Sequence, residues 1–410
     1  MSSTPAPVPL PAPSASLRRN RLAVLINFFA VGFGLAAWVV HVPNVMGATG
    51  LDDAGLGFLL LVMGVASLAA MQGGGYLSAR YGSRGLLIVG ALVMVVGLLG
   101  AGLAQTPHWL GVALGAFGVG SGAMDIGMNE QAVRVERAYG RPIMGSMHAF
   151  FSVGGATGAA VGVPLLSLGL PSAATMGIMG GVSLLLAAVA LPWVLAGPAV
   201  EEPAAMHAAP APADHAAPEK PGGPSVLRLG TILAIMAFSF FLAEGTVNDW
   251  SARHSVEHLG QSASTAAIAY GVFSVFMTLG RFAADRVAGA VGAVAVVRYG
   301  SLLAAAGMAL VVLAPSFPVA VAGWGLYGVG LSGIVPQLFS AAGALVSGPR
   351  APVVLSRVVG AGYVGLLAGP AIVGWLSAGI GLNQALLLPV LLCLMGTALS
   401  VSLRGAGPRA

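Results

Sequence analysis

The sequence predicts an all-α polytopic membrane protein: twelve membrane-crossing helices in two pseudo-symmetric six-helix halves. Composition, run length and the placement of the arginines carry this reading. Of 410 residues, 57% are hydrophobic and only 8% charged, and the mean hydropathy is +0.91. A soluble domain carries about 25% charged residues, so this chain cannot cover a water-facing surface and lipid must be its main solvent. The apolar runs are long and lack period-two alternation, which selects helices over a barrel. Cys393 is the single cysteine, which excludes an intrachain disulfide and a cysteine-rich metal site. With no nucleophile motif and no phosphate loop, neither an enzyme nor a cofactor is expected. The net charge of +5 comes from arginines between the apolar runs, not from a nucleic-acid surface.

A spanning helix needs about 20 mostly apolar residues. Residues 1–17, rich in Pro, Ala and Ser, read as a disordered tail. Arg18, Arg19 and Arg21 then open an N-terminal bundle over 18–196, with candidate spans at 22–46, 55–79, 85–104, 109–132, 143–168 and 172–196. Residues 197–226 place Glu201, Glu202, Asp214, Glu219 and Lys220 among Ala and Pro, the composition of a flexible linker. A second bundle over 227–404 carries spans at 227–250, 264–285, 293–313, 317–343, 352–379 and 381–403, and a short tail, 405–410, ends the chain.

The basic residues orient this plan. Arg80 and Arg84 fall between spans 2 and 3, and Arg134, Arg137 and Arg141 between 4 and 5. Arg281, Arg286 and Arg298 surround the 8–9 turn, and Arg350 and Arg357 the 10–11 turn. Of the eighteen basic residues only Arg253 falls on the other side. The positive-inside rule therefore puts both termini and the linker in the cytoplasm. The halves also repeat. Phe117-Gly-Val-Gly in span 4 matches Tyr327-Gly-Val-Gly in span 10, and Gly155, Gly158 and Gly162 match Gly362, Gly365 and Gly369 in spacing. Six-helix halves of the same orientation imply a parallel repeat about the membrane normal.

The most costly residues stand in spans 4 and 5. An ionised Asp125 in lipid costs roughly 3 kcal/mol or more, and acids at such depth usually face protein or water and serve function. Desolvation disfavours the charged form of a carboxyl, which makes Asp125 the first candidate proton carrier. Glu244 in span 7 is the second, with no basic residue on its own helix before Arg253. His148 could pass protons to the acids, and Glu130 stands four residues before Arg134, a helical ion-pair spacing. Packing accounts equally well for Glu130 and His148. Asn27, Gln72, Asn129, Ser152, Asn248, Tyr270, Gln337 and Tyr363 could line a solute cavity. Trp38 and Trp250, at corresponding places of spans 1 and 7, are either interface anchors or stacking platforms for a solute.

Twelve helices in two halves with a long cytoplasmic linker resemble the major facilitator superfamily of secondary transporters. Gly75-Tyr-Leu-Ser-Ala-Arg80-Tyr-Gly82-Ser-Arg84 resembles its loop signature between spans 2 and 3. Ala79 stands where the family usually has Asp, which puts the gating latch of that half in doubt. Gly280-Arg281-Phe-Ala-Ala-Asp285-Arg286 keeps the acid in the second half. Asp125-x-x-x-Asn129, Glu136-Arg137, Arg141-Pro142 and His148-Ala-Phe-Phe-Ser152, with Glu244-Gly245, Asn248-Asp249-Trp250 and Gly362-Tyr363, resemble a bacterial inner-membrane branch near the fucose-permease-like transporters. The resemblance implies a monomeric carrier of a small solute across the bacterial inner membrane, coupled to protons, with Asp125 as the coupling acid. Span 5 matches the glycine spacing of the superfamily's antiporters at Gly145, Gly154, Gly158 and Gly162, but Ala159 replaces the signature proline; span 11 has Gly365, Gly369 and Pro370. The balance leans to proton symport of a small polar solute such as a sugar. Proton-driven export of amphipathic compounds, and a membrane sensor without flux, are the alternatives.

Overall fold

The computed structural model describes residues 14–198 and 224–405. The expected tails and linker lie largely outside these residues. Where they overlap, the N-terminal boundary moves: Ser14 accepts a hydrogen bond from the Leu17 amide and starts the first helix at Ala15, inside the expected tail. A serine at this position supplies an acceptor that the first turn otherwise lacks.

Twelve helical rods follow. They are α1 (Ala15–Thr49), α2 (Asp53–Tyr81), α3 (Arg84–Gly102), α4 (Pro107–Tyr139), α5 (Met144–Ser167) and α6 (Ser172–Trp193). After the linker come α7 (Pro224–Glu257), α8 (Ala263–Val291), α9 (Ala293–Val312), α10 (Phe317–Ala344), α11 (Arg350–Ile380) and α12 (Leu382–Leu403). No strand occurs among the described residues. Eleven of these rods are long and apolar enough to cross a bilayer; α8, which carries Arg281, Asp285 and Arg286, is not among them. Leu92, Val96, Val112, Trp375 and Leu391 are exposed, as on helices whose outer faces meet lipid. The ends are set locally. Thr106 and Ser262 accept from the amides of Trp109 and Thr265, while Gly50 and Gly140 end α1 and α4 in the left-handed conformation that glycine adopts without steric cost. The side on which α6 ends and α7 begins is called the linker side below.

Glycines on facing helices let backbones meet, as small residues do in lipid. The matched motifs of α4 and α10 do the same work in both halves. A carbon added to Gly118 would strike the Met63 carbonyl of α2, and one on Gly328 the Phe273 carbonyl of α8. Gly120 faces Met94 of α3, and Gly330 faces Ala304 of α9. For α5 and α11 the structural register differs from the sequence match by one turn. Gly154 and Gly158 face the carbonyls of Phe29 and Phe33, and Gly365 and Gly369 face those of Phe238 and Leu242. By this register Trp38 corresponds to Val247, so Trp38 and Trp250 are not equivalent. Trp38 is buried in the core, whereas the Trp250 ring lies against Gly374 and Arg253.

Gly118→Val is expected to destabilise the fold by about 1–3 kcal/mol through overpacking, read as a lowered melting temperature in detergent. Gly115→Val, on the same helix with nothing within 4 Å of the added carbon, is expected to melt with the parent.

Candidate functional site

Between the halves lies a cavity of about 310 Å³. Its N-terminal wall takes Asp125 from α4, His148 and Phe151 from α5, and Phe28 from α1. Its C-terminal wall takes Glu244 and Phe241 from α7, Arg281 from α8, Phe339 from α10 and Tyr363 from α11. Met63, Met71 and Met128, with Val31, Leu35, Val335, Leu366 and Leu367, add apolar lining.

Two polar links cross the cavity. The Tyr363 hydroxyl donates to Asp125 Oδ1 at 3.1 Å, and Asp125 Oδ2 has no protein partner. Arg281 donates to Ser152 Oγ at 2.8 Å in the other half and to Glu244 Oε1 at 3.2 Å in its own. Asp125 is 6% exposed, so its only escape from a dry interior is the cavity. The His148 ring lies 5.0 Å from Phe28 and 5.7 Å from Phe339, with Nε2 unpartnered. Phe339 continues to Phe241 at 6.0 Å, and Phe241 to Tyr363 at 5.5 Å. An aromatic chain therefore runs from α1 across both halves to α11.

The cavity is shut on the linker side by a second group of contacts. α5 starts without a cap from its own preceding residue, Ile143. Glu136 Oε2 accepts the amides of Ile143 and Met144 at 2.8 Å each. Asp285, on α8 of the other half, accepts those of Gly145 and Ser146 at 2.7 and 2.8 Å. A carboxylate at a helix N-terminus satisfies free amides and meets the favourable end of the dipole. Glu136 also accepts from Ser340, and Arg137 donates to the Gly343 carbonyl, both across the halves. Among the described residues the α2–α11 junction has no such acid. Gln72 donates to the Ser356 carbonyl at 2.8 Å, Arg357 donates to the Tyr76 hydroxyl at 3.2 Å, and Gly75 lets Ser356 approach. Gly82 and Gly292 end α2 and α8 with the same backbone, φ 81° and 82°. Counted back from them, Asp285 stands opposite Gly75, not Ala79, one turn deeper than the sequence match suggests.

Of the residues singled out from the sequence, Asp125, Glu244, His148 and Tyr363 meet at the cavity, and Ser152 binds Arg281 beside it. Arg281, from the loop motif, joins them, and the other described ones do not line it. Glu130 is buried between Ser78 and Arg134, tying α2 to α4. Asn27 and Asn129 donate back to the carbonyls of Ala23 and Asp125 on their own helices. Trp38 and Gln337 are buried, Tyr270 is exposed, and neither Gln72 nor Trp250 lines the space. The Asn248 and Asp249 side chains lie outside the described residues. Among the loop residues, Arg80 sits beside Tyr81, Arg84 donates to the Val194 carbonyl, and Gly280 packs on Ser332 within its half. Arg286 is exposed.

Arg281 is the main correction. It is not a residue of the 8–9 turn but stands inside α8, about three turns before its end, with a side chain only 13% exposed. Its position within the apolar run 264–285 was the available signal.

A Major Facilitator Superfamily profile matches residues 24–290. A Yersinia pestis protein described as an uncharacterized MFS-type transporter is 37% identical over 361 residues, 87% of this chain and 88% of that one. The chain is a member of the major facilitator superfamily. This MFS transporter superposes on FucP in its outward conformation with a TM-score of 0.75 at 16% identity, covering 96% of this chain and 100% of that one. The proton:xylose symporter XylE gives 0.71 at 13% identity, covering 94% and 95%. At such identities the likeness shows the shared fold alone.

Asp285→Ala removes a charge-assisted pair of hydrogen bonds, each of a kind that contributes about 1.5–3 kcal/mol. It is expected to raise labelling of a Ser356→Cys probe from the linker side about tenfold or more, in a Cys393→Ala background.

Proposed function

We propose that this MFS transporter imports a small polar solute, such as a sugar, together with protons by alternating access, with the linker side in the cytoplasm of a bacterial inner membrane. The observation that carries this reading is the Asp125–Tyr363 bond at 3.1 Å, an acid of one half held by a hydroxyl of the other inside the cavity.

The charge inventory supplies the physical reason. The cavity holds two carboxylates, Asp125 and Glu244, and one guanidinium, Arg281. Arg281 neutralises Glu244. Asp125 has no cation, so closing the cavity from both sides would strand one negative charge in a dry site, which is costly. A proton on Asp125 removes that cost. It also turns the carboxyl into a donor able to release Tyr363 or engage a solute hydroxyl. Phe28, Phe151, Phe241 and Phe339 offer flat apolar faces to a sugar ring, while Glu244, Arg281 and Tyr363 offer bonds to its hydroxyls. Two fold neighbours, a fucose:proton symporter and a proton:xylose symporter, support the substrate class.

The aromatic and methionine walls support a second reading, proton-driven export of an amphipathic compound. Direction separates the two. Symport fills right-side-out vesicles under an inward proton gradient; export fills everted ones.

Asp125→Asn is expected to abolish accumulation driven by a pH gradient, by tenfold or more, while keeping solute exchange at equilibrium. Full accumulation by this variant in proteoliposomes would remove Asp125 from the mechanism. Glu244→Gln leaves Arg281 unpaired in the cavity and is expected to lower both exchange and accumulation about tenfold or more.

A further inference from the structure

On the linker side, separate from the transport cavity, a crevice of about 560 Å³ opens between α1, the start of α5 and α8. Three arginines line it, one from each wall: Arg21 on α1, Arg141 in the turn before α5 and Arg286 on α8. None of them pairs with a carboxylate among the described residues. Asp285, the acid that lines the crevice, is already committed to the α5 amides. Arg21 and Arg141 share one tyrosine, their guanidinium carbons 5.6 and 5.8 Å from the Tyr139 ring centre. Arg21 Nη2 donates to Ser146 Oγ at 3.0 Å, while its buried Nε has no partner. Below the arginines the wall turns apolar, with Leu25, Phe150 and Phe282, the two phenylalanine rings 6.2 Å apart.

Three unpaired guanidinium groups over a greasy floor suit one ligand chemistry. We propose that the crevice binds a phosphate group that carries no cation of its own, as on an anionic phospholipid headgroup such as phosphatidylglycerol. Arginine binds phosphate through paired N–H donors, and basic pockets between membrane helices take such headgroups. Leu25, Phe150 and Phe282 receive the start of the acyl chains. Because Arg286 belongs to one half and Arg21 and Arg141 to the other, a bound phosphate spans the junction that Asp285 fastens and favours the state closed on the linker side.

Native mass spectrometry of the full-length protein in detergent tests this with dioleoyl-phosphatidylglycerol, dioleoyl-phosphatidylcholine and inorganic phosphate as probes. The expected result is retention of phosphatidylglycerol at least fivefold above phosphatidylcholine. Arg21→Ala/Arg141→Ala/Arg286→Ala is expected to lose it tenfold or more. The charge-matched Arg18→Ala/Arg80→Ala/Arg298→Ala is expected to keep it. On the unaltered protein, a photoactivatable phosphatidylglycerol should crosslink to 141–150 and 282–289, which makes the test independent of how the variants fold. Displacement by millimolar inorganic phosphate would uphold the site and assign it to free phosphate; resistance to displacement assigns it to the lipid. Equal retention of the two lipids, equal loss in both triple variants, or crosslinks confined to other helices would overturn the proposal.

Discussion

The cost of charge in a dry interior organises this molecule. A lone carboxylate in lipid is expensive, and a lone guanidinium equally so. The cavity charges lie at the seam between the halves, where Arg281 meets Glu244 within hydrogen-bond distance and Asp125 keeps one oxygen unpartnered. The outer faces are left to Leu, Val and Trp. The seam therefore carries the cavity charges and is also the surface along which the halves must part and rejoin. Transport and the placement of charge answer to the same constraint.

Pseudo-symmetry gives the two halves one scaffold with different contents. Glycines of α4 and α10 admit the same neighbouring helices at the same places. Gly32 admits the backbone carbonyl of Phe151 in one half, while in the other Gly362 lies against the Phe241 ring, so the glycine and the phenylalanine have changed helices. Both phenylalanines reach the cavity. The exchange changes which helix presents the ring. The chemistry diverges the same way: Asp125 has Val335 at its counterpart position, and Arg281 has Met71, all four on the cavity wall. One half brings the unpaired acid and the other brings the ion pair.

Much of this plan was legible in the residues. Helix number, the repeat and the acids in apolar runs follow from rules that need no geometry, because lipid leaves few alternatives. Asp125, His148, Glu244 and Tyr363 were found because polar groups in such runs are rare enough to stand out. The uncharged amides misled for an equally physical reason. Asn27 and Asn129 bond to carbonyls four residues back on their own helices, an option that spacing does not reveal. Glu130 was hidden by helix rotation, since it faces Ser78 of α2 and not the seam. Arg281 reads from the sequence as a loop-motif arginine near the 8–9 turn, although depth, not type, decides what a cation does. The phenylalanines of the cavity carried no signal at all, because in so apolar a sequence an aromatic residue is background.

The cap on α5 has a consequence for how the chain is made. At its start one oxygen of Glu136, from its own half, accepts two amides, and the two oxygens of Asp285, which lies 140 residues later than Gly145, accept two more. While the ribosome is still threading the first six helices into the bilayer, half of those amides have no acceptor from protein. The early bundle must wait with a frayed end until α8 arrives. The first bundle is thus an unfinished object when it is born, completed by its twin.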